Sequence, residues 1–117
     1  MKLYGITNCD TVRKARKYLL DHHTEFEFHD FRATGISAEK IKSWLREVPL
    51  EKLFNKASTT WKELTDKQRE STSSKANAIR IMVKYPTIIK RPVLEDKDGH
   101  VMALGFKPEI YAELIKK

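Results

Sequence analysis

The sequence is poor in the residues that cross-link small proteins or anchor proteins in membranes. It has one cysteine, Cys9, and only four glycines and four prolines among its 117 residues. A single cysteine excludes an internal disulfide framework and any metal site that needs two thiolates. No apolar run approaches the ~20 residues of a membrane-spanning helix, and the N-terminus turns polar at Thr7, too early for a signal peptide. We therefore expect a cytoplasmic protein with no membrane partner.

Positive charge is the most marked feature of the composition. Lysine and arginine number 23 against 16 acidic residues, which gives a formal net charge of +7. Most of these charges alternate with opposite ones, as in KSWLREVPLEKL, a pattern typical of solvated helix surfaces. One segment, RKARK at 13–17, has four positive charges in five residues. Because the motifs of nucleic-acid-binding folds are missing, we expect no nucleic-acid partner.

The first third of the chain predicts a βαβ unit. The short apolar segment Lys2–Thr7 is typical of a strand, and from Thr11 to Asp21 apolar residues recur at helical spacing. Phe26 and Phe28 then alternate with charged residues, which predicts a second strand. Because the connection between the two strands is a helix, we expect the strands to be parallel.

The rest of the chain predicts a helical insertion followed by two strands and a helix. In residues 36–85, one helix is predicted after the capping residue Ser37 and another after the capping residues Ser58, Thr59 and Thr60, each with apolar residues at helical spacing. Ser71–Ser74 is interpreted as a loop that precedes a further helix. The later elements are strands at Thr87–Ile89, Pro92–Glu95 and His100–Leu104, and a helix from Pro108 whose apolar face consists of Ile110, Tyr111, Leu114 and Ile115. This order predicts an α/β protein of thioredoxin-like architecture, with a four-stranded mixed sheet in a single domain over residues 1–117.

Cys9 is the first candidate for chemistry. A lone cysteine is often an inert, buried side chain, but this one follows a strand and opens a helix, where backbone N–H groups and the helix dipole favour an anion. Arg13 would share its helix face and lower the thiol pKa, whereas the neighbouring Asp10 disfavours the thiolate. A dithiol motif would have its second cysteine where this chain has Val12. If Cys9 is reactive, the second thiol must therefore come from a small molecule such as glutathione, or from another protein.

The pair Arg91–Pro92 is the second candidate. Proline is the residue before which a cis peptide bond is least unfavourable, and such a bond at a strand start would expose backbone beside a planar cation. The residues alone slightly favour the alternative, an exposed arginine beside an edge-strand proline. The four histidines have no cysteine or carboxylate at ligand spacing, so we expect no metal site.

Four segments, in this order along the chain, carry a resemblance to a known family: GITNCDTVRKARKYL, TTWKEL, YPTIIKRPVL and LGFKPEIY. Together they resemble the ArsC/Spx family, most closely its YffB-type branch, and the resemblance runs over nearly the whole chain. It implies a thioredoxin-like fold with a helical insertion, in agreement with the order of elements read from the residues.

The resemblance also implies which residues form the site. The family's arsenate reductases attack arsenate with the cysteine that matches Cys9 and surround the oxyanion with three arginines. Arg91, ahead of the family's cis proline at Pro92, matches one of them, while Asn55 and Lys107 occupy the other two positions. A charge-assisted hydrogen bond to an anion contributes about 1.5–3 kcal/mol. This departure from the family pattern therefore weakens the expected binding of arsenate.

The resemblance thus implies a glutathione-dependent thiol reductase, with glutaredoxin as a further expected partner. Arg13, Arg91 and Lys107 would hold the anionic groups of the substrate, while Asn8 and Thr11 would supply hydrogen bonds. We expect a monomer that needs no metal. Two alternatives stay open: a true glutathione- and glutaredoxin-dependent arsenate reductase, and an Spx-like regulator that binds RNA polymerase. Such regulators usually carry a CxxC motif, which this chain lacks.

Overall fold

Strands and helices alternate at both ends of the chain, and short helices fill its middle. The structure is a computed structural model that describes residues 1–116. In chain order the elements are β1 (Lys2–Gly5), α1 (Asp10–Asp21), β2 (Glu27–Asp30), α2 (Phe31–Thr34), α3 (Ala38–Leu45), α4 (Leu50–Leu53), α5 (Thr59–Glu63), α6 (Asp66–Ser71), α7 (Lys75–Lys84), a 3-10 helix (Pro86–Ile88), β3 (Val93–Glu95), β4 (Val101–Leu104) and α8 (Pro108–Leu114). No helix within residues 1–116 is both long and apolar enough to span a membrane.

A four-stranded mixed sheet organises the first of two compact units, which comprises residues 1–31 and the chain from residue 91 onward. The strand order is β2-β1-β3-β4. β1 runs parallel to β2 and antiparallel to β3, and β3 runs antiparallel to β4. This topology confirms both the predicted βαβ unit and the predicted four-stranded mixed sheet.

Helices make up the second compact unit, Arg32–Lys90, which contains the helical insertion predicted from the sequence. Two of its helices begin at the predicted caps. The Ser37 side chain accepts a hydrogen bond from the Lys40 N–H at 3.1 Å, and the Ser58 side chain accepts one from the Trp61 N–H, also at 3.1 Å. Each bond satisfies a backbone donor that the first helical turn leaves without a partner.

One sequence prediction within this second unit is wrong, and a second is confirmed except at one residue. The predicted strand at Thr87–Ile89 is instead the end of a 3-10 helix and one isolated bridge between Ile89 and Phe54. Proline at the first position of that 3-10 helix fixes the helical φ and has no N–H to leave unsatisfied. The predicted loop at Ser71–Ser74 is confirmed at residues 72–74, which precede α7, while Ser71 is the last residue of α6.

One hydrophobic core of the sheet unit is formed by strands of the sheet together with the two helices α1 and α8. Its fully buried members are Leu3, Ala15, Leu19, Leu94 and Tyr111. Their packing shows why apolar residues recur at helical spacing in α1 and α8, while the central strands β1 and β3 are buried at adjacent positions. Of the predicted apolar face of the last helix, Tyr111 is fully buried and Leu114 and Ile115 pack against this core. The prediction for Ile110 is wrong, because that side chain is 45% exposed.

Two contacts fix the strand ends that carry the candidate site residues. Gly5 ends β1 against the first turn of α1, where a Cβ atom on Gly5 would lie 2.7 Å from Val12 Cγ2. Tyr4 and Glu95 are buried, and the Tyr4 hydroxyl donates a 2.8 Å hydrogen bond to Glu95 Oε1 that links β1 to β3. Because β1 and β3 are antiparallel, the end of β1 and the start of β3 lie at the same edge of the sheet.

Candidate active site

Cys9 occupies the N-cap position of α1, just beyond the end of β1. Its backbone is extended, with φ of −112° and ψ of 124°, and its carbonyl accepts the first helical hydrogen bond from the Arg13 N–H at 2.9 Å. The side chain is half-buried. Free backbone N–H groups and the positive end of the helix dipole meet at this position, so an anion there is favoured.

The surroundings of Cys9 lower the pKa of its thiol. Burial is the largest single influence and raises the pKa, but it is outweighed by the combined effect of the Val12 N–H, the Arg91 guanidinium and the Thr11 N–H. The sulfur makes no hydrogen bond that meets the geometry of a formal helix cap. The N–H groups therefore act on it mainly as nearby dipoles that favour the charged form.

Arg91 contacts Cys9 from the start of the neighbouring strand β3. Its guanidinium hydrogen-bonds the Cys9 side chain and adds a favourable charge. The Arg91–Pro92 peptide bond is cis, Pro92 is buried, and the Pro92 carbonyl accepts a 2.8 Å hydrogen bond from the Gly105 N–H. β3 is a central strand, and Arg91 is half-buried. The alternative that the residues alone slightly favoured, an exposed arginine beside an edge-strand proline, is therefore wrong.

Arg13 lies on the first turn of α1 but forms an ion pair with Asp10. This contact lowers the pKa of the Asp10 carboxyl, chiefly through the hydrogen bond from the guanidinium. Arg13 is not among the groups that shift the pKa of Cys9. The cation that the structure places at the sulfur is therefore Arg91, from a different element, rather than the arginine on the helix of Cys9 itself.

The rest of the basic segment at 13–17 is also engaged in local contacts. Lys17 Nζ lies 2.8 Å from Asp21 Oδ2. The Arg16 guanidinium lies over the Phe28 ring, 4.2 Å from its centroid. These contacts belong to the surface of α1 and β2, so the segment is not a uniform basic face.

The remaining predicted site residues are distributed over both compact units. Asn8 and Thr11 flank Cys9 and are exposed, and Lys107 is the exposed N-cap of α8 in the same unit. Asn55 belongs to the second unit, where its N–H donates to the Ile88 carbonyl at 2.9 Å. Within residues 1–116 no group of three or more histidine, cysteine, aspartate or glutamate side chains is arranged to hold a metal ion.

Sequence reasoning did not identify the Val12 N–H as part of the site. Its contribution to the thiol comes from the backbone, and a valine side chain at position 12 signals only a core position. The helix start at Cys9 was the one available signal, because every helix leaves its first N–H groups without an internal partner.

Comparison with known proteins assigns this chain to a family. The family model described as the ArsC family matches residues 4–114. The chain belongs to the ArsC family. The resemblance found in the sequence is thereby confirmed, and the protein is an arsenate-reductase-like member of that family.

Individual relatives agree with this assignment. An uncharacterised protein from Haemophilus influenzae is 38% identical over 109 residues, which are 93% of each chain. The global transcriptional regulator Spx from Streptococcus pyogenes is 26% identical over 109 residues, which are 92% of this chain and 78% of the Spx chain. The solved structure of the YFFB protein is 40% identical, with a TM-score of 0.87 over 96% of both chains. The likeness to this solved structure confirms the thioredoxin-like fold class.

Proposed function

We propose that this ArsC-family protein is a glutathione-dependent thiol reductase in which Cys9 is the nucleophile. The observation that supports this proposal is the environment of the thiol, which has a lowered pKa at a helix N-terminus beside the Arg91 guanidinium. A thiolate attacks disulfides, whereas a protonated thiol does not. Because the sequence contains no second cysteine, the thiol that completes the reaction is supplied by glutathione.

The proposed substrate class is a mixed disulfide between glutathione and a second thiol compound. The Cys9 thiolate attacks the glutathione sulfur, so that a Cys9–glutathione disulfide forms, the substrate S–S bond breaks and the substrate thiolate leaves and takes a proton from water. A second glutathione, as its thiolate, then attacks the sulfur of the bound glutathione. This step releases the Cys9 thiolate and forms glutathione disulfide. The net reaction converts mixed disulfide and glutathione into free thiol and glutathione disulfide.

The proposed roles of the other site residues follow from their positions. Arg91 stabilises the Cys9 thiolate in both steps. The thiolate is the attacking group in the first step and the leaving group in the second. Pro92, buried beside Arg91, shapes the floor of the site. Thr11 offers its N–H to the sulfur, and the exposed Asn8 and Lys107 are proposed to bind the amide and carboxylate groups of glutathione.

The test is an assay of glutathione-dependent reduction of hydroxyethyl disulfide, coupled to glutathione reductase. We expect the Cys9→Ser variant to lose the activity. In the wild type, mass spectrometry should detect a glutathione adduct on Cys9. The serine variant keeps the size of the side chain, so circular dichroism should show an unchanged fold. Activity that survives in Cys9→Ser would refute the proposal.

Arsenate reduction is a variant of the same proposal. The cysteine chemistry is shared, but Asn55 and Lys107 stand where the resemblance places two arginines. We therefore expect weak arsenate-dependent turnover with glutathione and glutaredoxin. An Asn55→Arg, Lys107→Arg double variant should raise this turnover if the missing guanidinium groups limit it.

A regulatory function is the second candidate, and the similarity to the Streptococcus pyogenes Spx protein favours it. This chain has Val12 in the place of the second cysteine of a CxxC motif, which removes redox switching but leaves binding open. A pull-down with purified RNA polymerase subunits tests this candidate. The absence of a complex at micromolar concentration would end it.

A further inference from the structure

A cavity of about 400 Å³ lies within the helical unit, Arg32–Lys90. Its size falls in the range of about 300–1,000 Å³ that is usual for small-molecule sites. All of its lining residues belong to this unit, and Cys9 is not among them. The lining does include Asn55, one of the residues that the arsenate variant above involves, so the cavity is separate from the thiol–disulfide step but not from that variant.

The inner wall of the cavity is apolar and held in place by its neighbours. Leu50, Phe54 and Ala78 line it, and Phe54 and Ala78 are only 5% and 1% exposed. The Phe54 ring packs edge-to-face on Trp61, with 5.4 Å between the ring centroids, and the Phe54 backbone bridges to Ile89. This wall is preformed, so an apolar group that enters it displaces water without reordering the helices.

The rim of the cavity is basic. Lys52, Lys56 and Lys90 line it together with one acidic residue, Glu51, so the rim has a net charge of about +2. Within residues 1–116, none of these three lysines forms an ion pair. The Lys90 backbone is fixed by a 2.8 Å hydrogen bond from its N–H to the Leu53 carbonyl.

Lys56 has one further contact that leaves its charge available. Its Nζ lies 5.2 Å from the centroid of the Trp61 ring. An interaction with an aromatic ring orients an ammonium group but does not neutralise it. The rim therefore offers an oriented cation next to an apolar wall.

We propose that this cavity binds a small organic anion that has an apolar body, an aryl or branched aliphatic carboxylate or sulfonate. The body packs against Leu50, Phe54 and Ala78, and the anionic group faces the lysine rim. Charge complementarity selects this class, because an uncharged apolar compound leaves the cations of the rim unpaired and a cation is repelled by them.

A matched pair of fluorescent probes tests the proposal on the full-length protein. One is 8-anilinonaphthalene-1-sulfonate, and the other is N-phenyl-1-naphthylamine, which has the same aromatic body without the sulfonate. We expect saturable binding of the sulfonate at one site per chain and binding of the uncharged amine that is about tenfold weaker or less. Equal affinity for the two probes would overturn the proposal.

Variants locate the binding. We expect Lys52→Glu combined with Lys56→Glu to weaken sulfonate binding about tenfold or more, and Ala78→Leu to weaken it by filling the cavity. The control is Lys67→Glu, at an exposed lysine on α6 outside the cavity, which should leave affinity unchanged. The charge variants lie on the surface and should keep the wild-type circular dichroism spectrum. Unchanged sulfonate affinity in the folded double variant would also overturn the proposal.

Discussion

Replacing Arg91 with methionine should raise the pKa of the Cys9 thiol. The change removes the guanidinium that hydrogen-bonds the sulfur but keeps a long, unbranched side chain. Two unit charges 4 Å apart interact by about 4 kcal/mol at an effective dielectric constant near 20. Because Cys9 is half-buried, solvent screens part of this energy, and a charge-assisted hydrogen bond contributes about 1.5–3 kcal/mol. Loss of this interaction favours the protonated thiol, so the pKa of Cys9 should rise.

The direction of the rate change follows from the thiolate population. At a pH below both pKa values, loss of an interaction of about 1.5–3 kcal/mol reduces the thiolate fraction about ten- to hundredfold. The remaining thiolate is more nucleophilic, because nucleophilicity rises with basicity with a Brønsted coefficient of about 0.4–0.5. Alkylation of Cys9 by iodoacetamide should therefore slow by about three- to tenfold.

The assay is the pH dependence of Cys9 alkylation, followed by mass spectrometry over the range from pH 4 to about 10. Arg13→Met is the matched control, because Arg13 lies on the same helix turn but pairs with Asp10. We expect the control to move the midpoint by much less than Arg91→Met does. If the midpoint stays at its wild-type value in Arg91→Met, or moves equally in both variants, the assignment of Arg91 to the thiolate is refuted.

Two further predictions concern the framework of the site. Gly5→Ala places a methyl group 2.7 Å from Val12 Cγ2 and should reduce the free energy of unfolding by about 1–3 kcal/mol in urea titrations. Val12→Ala should recover part of that loss in the double variant, and strict additivity would contradict the clash. Burial raises the pKa of the Tyr4 and Tyr111 hydroxyls, and Glu95 raises that of Tyr4 further. Because unfolded tyrosine titrates near pH 10, the free energy of unfolding should be independent of these groups below that pH and fall above it. Tyr4→Phe and Tyr111→Phe should each reduce the alkaline slope, and unchanged slopes would count against this explanation.

The sequence predicts an element correctly where the spacing of its buried residues fits a helix and not a strand, or a strand and not a helix. In α1 the buried residues Val12, Ala15 and Leu19 follow helical spacing, and the prediction is confirmed. The segment from Thr87 to Ile89 is different, because Ile88 and Ile89 are both fully buried and adjacent. A short apolar run has no period that separates a strand from a helical turn, so the preceding proline was the better guide there.

α6 could have been found from its ends, although its side chains gave no apolar stripe. Among Asp66–Ser71, no residue is buried, so hydrophobic spacing carries no information about this helix. Its start is marked by a capping box, in which Thr65 accepts from the Gln68 N–H at 3.1 Å and Gln68 accepts from the Thr65 N–H at 2.9 Å. Threonine followed by glutamine at the third position is visible in the sequence and is the signal that was overlooked.

One part of the candidate site could be predicted from local sequence, and the other depends on the assembled fold. Its position at Cys9 is local, since a strand followed by a helix brings unpaired N–H groups to that residue whatever the rest of the chain does. The cation that faces the sulfur is not local. Helical spacing places both Arg13 and Asp10 near the thiol, and their own i,i+3 ion pair takes the guanidinium. Arg91 reaches Cys9 only because β3 pairs with β1 in the register that places Tyr4 opposite Val93, and sheet pairing is a property of the assembled fold.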